Sequence, residues 1–147
     1  MNPARIVKPG RRRRLIVLGM TSLRRALIFG FLSWLIPFLV SVCLFPVRQS
    51  NRPLFESIMP VVVATCAGIF LNLYFRKVER RFLAEGALLG VLWFAMSILF
   101  DLPLFLFGPM KMPFGAYMAD IGVAYLIFPA VCVPTGFLLE TKIARTA

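Results

Sequence analysis

The chain has 147 residues, is 60% hydrophobic, and has a mean hydropathy of +0.85. Its apolar residues gather in long, nearly uncharged runs, which excludes an ordinary soluble domain and predicts an all-α, multi-span membrane protein. It carries a net charge of +11 and no histidine. The charges sit beside the apolar runs, so they read as topology signals and contacts to anionic lipid, and nucleic acid is excluded as a partner.

Residues 1–25 form a basic head, with Arg5, Lys8, Arg11, Arg12, Arg13, Arg14, Arg24 and Arg25. The short apolar stretch between the arginine clusters is too short to span and reads as an interfacial segment on the cytoplasmic face. Arg11 to Arg14, Arg24 and Arg25 are the expected contacts to lipid head groups of an anionic inner leaflet. The apolar run from Ala26 to Phe45 is long for a signal peptide and has no small-x-small cleavage pattern at its end, so it is expected as a retained first span.

A polar connection at 46–57 follows, then a second span at about 58–75 and a tight basic turn, RKVERR, at 76–81. The third span runs over 82–107 and the fourth over 116–139, with a short tail at 140–147. Of the chain's 17 lysines and arginines, 14 lie in the head, the 76–81 turn and the tail. By the positive-inside rule this predicts an antiparallel four-helix transmembrane bundle over 26–139, with both termini cytoplasmic. The expected location is a bacterial-type inner (plasma) membrane.

Residues three and four apart share a helix face. Small or polar residues recur at such spacings in each span. Gly30 and Ser33 lie in the first, Gly68 and Asn72 in the second, and Gly86, Gly90 and Ser97 in the third. Membrane helices associate where small residues let backbones approach and polar side chains find partners, so these are the expected packing positions. Glu85 is expected to pair with Arg76, Arg80 or Arg81, or to favour the first turn of its helix. The three cysteines, Cys43, Cys66 and Cys132, form no CxxC and read as buried membrane-helix residues.

The stretch from Phe100 to Pro129 carries the acidic residues least expected near lipid, Asp101 and Asp120. Asp101 lies 19 residues beyond Phe82, about 28 Å along a helix, at the far edge of the hydrocarbon. Asp120 approaches the fourth span from that edge, and Lys111 lies in the connection between them. One reading is structural: Asp120 caps a helix, Asp101 ends one, and Lys111 pairs with either. The other is functional: the two carboxylates face the interior and hold a proton or a cation. Residues 103–117 either lengthen the third helix and turn outside or dip back as a re-entrant loop.

No enzyme is expected. The sequence has no nucleophile beside a base, no glycine-rich phosphate loop, no metal-ligand spacing and no cofactor motif, and the aspartates lack a GxGD context. Three function classes remain. The first is a small transporter or channel, oligomeric because four helices leave little room for a pathway, using the acidic pair at the outer edge. The alternative is an accessory or scaffold subunit of a larger membrane complex. A bare lipid-binding bundle is a third possibility.

Overall fold

A computed structural model describes residues 20–108 and 111–146. Arg11, Arg12, Arg13 and Arg14, expected at lipid head groups, lie outside the described residues; Arg24 is exposed and Arg25 half-buried. The described chain is helical, with no strand among the described residues. Among the described residues six α-helices run α1 Leu23–Cys43, α2 Phe45–Ser50, α3 Arg52–Phe75, α4 Phe82–Leu106, α5 Phe114–Asp120 and α6 Ile127–Thr146. A 3₁₀ segment, Gly122–Leu126, leads into α6.

Among the described residues four segments are long and apolar enough to cross a membrane: Leu23–Cys43, Arg52–Phe75, Phe82–Leu106 and Gly122–Arg145. Their outward residues are large and apolar; Val61, Val91, Leu99 and Leu138 are each about 65% exposed. Such a belt is costly in water and at no disadvantage against lipid tails.

The helices meet through small residues and aromatic rings. A Cβ at Gly86 would lie 2.5 Å from the Cys132 carbonyl oxygen, and one at Gly90 would lie 2.7 Å from Pro129 Cα. The backbones of α4 and α6 therefore touch, in opposite directions. A Cβ at Gly30 would lie 2.6 Å from the Trp93 ring, which seats α1 on α4. Trp93 is fully buried, and its Nε1–H donates to the Ala26 carbonyl at 2.9 Å. Phe29 stacks on Phe70 at 5.5 Å, joining α1 to α3. Ser33 and Ser97 are fully buried in α1 and α4, and neither hydroxyl has a hydrogen-bond partner among the described residues.

Gly68 and Asn72 do not take the expected packing role inside the chain itself. Both are exposed, and nothing lies within 4 Å of a Cβ at Gly68. Asn72 accepts from Arg76 of its own helix. The inward face of α3 is instead Val63, Ala67, Leu71 and Tyr74. Tight approach is one way to associate; a bulky face fitted to bulky neighbours is another. Cys43, expected to be buried, is exposed, whereas Cys66 and Cys132 are buried.

Glu85 does not pair with the basic turn. It is 3% exposed, and it accepts from the Thr21 backbone N–H, the Thr21 hydroxyl and, at 2.7 Å, the Tyr74 hydroxyl. The carboxylate thus ties the segment before α1 to α3 and α4. Glu140 of α6 accepts from Leu83 N–H at 2.7 Å, satisfying one of the free donors at the start of α4.

Arg81, at the N-cap of α4, has φ 58° and ψ 43°, the left-handed region. That conformation costs a residue with a Cβ about 1–2 kcal/mol. Arg81→Gly is therefore expected to raise stability by about 1 kcal/mol. Reversible unfolding in detergent checks this, with unchanged or lower stability as the contrary result.

Candidate functional site at the α2–α5 end

The expected polar connection at 46–57 is helical. Leu44 breaks α1, and Pro46 stands in the first turn of α2. Asn51 then caps α3 by accepting from Leu54 N–H at 3.2 Å, with Pro53 in the first turn. Asx cap and first-turn proline together are a helix-start signal, legible at 51–53. The third span continues through Pro103 to Leu106. The fourth does not begin as one helix at Ala116: α5 ends at Asp120, and Ile121–Gly122 turns the chain into the 3₁₀ segment.

That break gathers the site. Tyr117 and Tyr125 would stand about 12 Å apart along an unbroken helix. Here both hydroxyls donate to the same oxygen, Asp101 Oδ2, at 3.3 Å and 2.6 Å. Trp34 Nε1–H donates to Oδ1 at 2.7 Å. Asp101 is 2% exposed. It stands one turn beyond Ser97 and two beyond Trp93, on the α4 face that also carries Leu89 and Glu85; all five are buried. Trp34 is held by rings, stacked on Phe38 at 5.2 Å and tilted against Phe100 at 5.0 Å. Burial and the neighbouring carboxylate raise the Tyr117 phenol above its ordinary pKa, which keeps it a donor.

Asp120 has a different setting. Its side chain is 18% exposed and takes Arg48 at 2.9 Å and Arg52 at 2.6 Å. Arg52 also pairs with Glu56 at 2.6 Å, and the Arg48 guanidinium lies 5.5 Å from the centre of the Phe55 ring. The cluster fastens α5 to α2 and α3.

The two aspartates are therefore not joined. Among the described residues no hydrogen bond or ion pair links them, and none links Lys111, which is exposed, to either. The expectation that Lys111 neutralises one of them is corrected: the cations are Arg48 and Arg52, which reach back from α2 and α3. Sequence reasoning missed Trp34, Tyr117 and Tyr125 as partners of Asp101. The signal was there, because a tyrosine or tryptophan inside an apolar run needs an acceptor for its polar end.

Both aspartates do line one cavity, of about 840 Å³ and open to the surface. Its walls are apolar, with Pro37, Phe38, Met59, Val63 and Phe105 among them. Its charged lining is Arg48, Arg52, Glu56, Asp101 and Asp120. That volume falls in the range of small-molecule sites, and the lining has their usual make-up of apolar walls with a few placed polar groups. Comparison with protein families, with curated proteins and with solved structures found no match to this chain.

Proposed function

We propose that the chain is a four-span protein of a bacterial-type plasma membrane, an antiparallel bundle with both termini cytoplasmic, that binds an amphiphilic molecule in the cavity at its outer end. In a homo-oligomer it would carry that molecule across. The observation that supports this is the joining of an apolar wall to a charged cluster in one open space of about 840 Å³. An amphiphile satisfies both parts, whereas a hydrated ion leaves the wall unused and a purely apolar molecule leaves Asp101 unused. The separate partners of Asp101 and Asp120 replace the idea of a shared proton with a division of labour. Asp120 holds α5 to its neighbours, and Asp101 faces the ligand. The expected contacts of Arg24 and Arg25 with anionic lipid belong to the opposite, cytoplasmic end.

Ala119 lines the cavity from α5 and is exposed. Ala119→Trp should fill part of the space without touching the core. Amphiphile that co-purifies in mild detergent, measured by native mass spectrometry, is expected to fall severalfold in this variant. Equal occupancy in the two proteins would sink the cavity reading.

The scaffold reading keeps one observation of its own. Thr65, Gly68 and Asn72 present a small, polar stripe on the exposed side of α3. Such a stripe suits another membrane helix better than it suits lipid, and a second copy of this chain is its simplest occupant.

Topology is tested by thiol labelling in a Cys43→Ser background, because Cys43 is exposed. Gln49→Cys, on exposed α2, should react with an impermeant maleimide added outside intact cells. Ala144→Cys should react only after permeabilisation. The opposite pattern would invert the proposed orientation.

A further inference from the structure

We propose that the cavity takes a lipophilic cation, an ammonium or phosphonium with apolar substituents, and that Asp101 is its counter-charge. This rests on the reading of the cavity as an amphiphile site and names the class of amphiphile.

The charges of the cavity do not cancel. Its lining holds two arginines and three carboxylates. Both arginines are engaged, Arg48 with Asp120 and Arg52 with Asp120 and Glu56. The carboxylate left without a cation is Asp101. Its three partners, Trp34, Tyr117 and Tyr125, are neutral donors. They orient the group and stabilise its lone pairs, but they supply no positive charge. An ionised carboxylate withdrawn from water is costly unless a cation meets it. Among the described residues no lysine or arginine does, and where no proton takes that place the balancing charge enters from outside the chain.

The surroundings suit an organic cation better than a hydrated metal ion. Phe38, Phe55, Phe105 and Tyr125 line the same space, and the faces of such rings attract cations that shed water easily. Pro37, Met59 and Val63 give apolar substituents a wall. An anion of the same shape would meet Asp101 with no free cation to answer it, since both arginines are already spoken for.

The test compares ions of one shape and opposite charge. Protein in nanodiscs is titrated with tetraphenylphosphonium, tetraphenylborate and neutral triphenylphosphine oxide, with binding to empty nanodiscs subtracted. Tetraphenylphosphonium is expected to bind saturably, with tetraphenylborate at least tenfold weaker. Asp101→Asn should weaken the cation at least tenfold and leave the neutral probe within twofold. If cation and anion bind alike, the charge assignment is overturned while the amphiphile site stands. If none of the three binds saturably, both readings fall. Should Asp101→Asn fail to fold, shown by a lost melting transition, the comparison of cation with anion on the unaltered protein decides alone.

Discussion

Gly86→Leu and Gly90→Leu are each expected to lose at least about 3 kcal/mol of stability, the upper end of what overpacking costs. The reason is what the new atoms would meet. At Gly86 it is the Cys132 carbonyl, 2.5 Å from the added Cβ, and at Gly90 it is Pro129 Cα at 2.7 Å. Both obstacles are backbone, so neither can swing aside as a side chain would. The helices α4 and α6 must separate, and that opens the packing around Trp93 and Phe128, both fully buried. For a chain of this length 1 kcal/mol moves the melting temperature by about 2–4 °C, so a fall on the order of 10 °C is expected in detergent. Gly68→Leu is the internal control. Nothing lies within 4 Å of a Cβ there, and the melting temperature should stay within about 2 °C of the parent. Equal losses at the three positions would show that close approach to a neighbouring backbone does not govern them, since helix propensity by itself favours leucine over glycine. The same Gly68 variant, still folded, should shift the protein toward monomer if the exposed α3 stripe joins two copies.

Residue pattern alone reveals the four long apolar helices, because a bilayer imposes a length that few other environments require. The starts of α1 and α4, at Leu23 and Phe82, fall within three residues of the positions that the charges predict. The outer end was less legible. Short helices such as α2 and α5 gain little from propensity and depend on tertiary contacts. Those contacts are remote in sequence: Asp120 meets arginines 72 and 68 residues away. The facing of α3 was misread for a different reason. A rule that turns small residues inward suits α4, where Gly86 and Gly90 meet a backbone. It suits α3 only at Ala67, for Val63, Leu71 and Tyr74 make up the rest of that inward face while Gly68 is exposed. The aromatic residues held a clue that pattern counting overlooks. The chain has three tyrosines, and each donates to a buried carboxylate, Tyr74 to Glu85 and the other two to Asp101. Its two tryptophans donate as well, to Asp101 and to the Ala26 carbonyl. Polar ends inside apolar helices mark where acceptors must be.

Asp101→Leu is expected to destabilise the protein by about 3 kcal/mol, because it removes the acceptor from three donors at once. An orphaned buried donor costs about 1–3 kcal/mol, whereas interhelical hydrogen bonds measured in a membrane protein average nearer 0.6 kcal/mol. Three donors sharing one acceptor place the total between those limits. Asp101→Asn should cost only about 1 kcal/mol, since its amide oxygen still accepts and the tyrosine hydroxyls can turn to meet its N–H groups. The asymmetry can be isolated with double variants. Tyr125→Phe added to Asp101→Leu removes a donor that has already lost its acceptor, so the pair should be less damaging than the two changes summed. The expected coupling is about 1 kcal/mol for Tyr125, whose bond is 2.6 Å, and smaller for Tyr117, whose bond is 3.3 Å. Reversible unfolding of the four members of each cycle gives both numbers. Strict additivity in both cycles would mean that the tyrosines merely stand near Asp101. Coupling at Tyr125 alone would place the carboxylate against the 3₁₀ segment and leave the Asp120 ion pairs as the tie that holds α5.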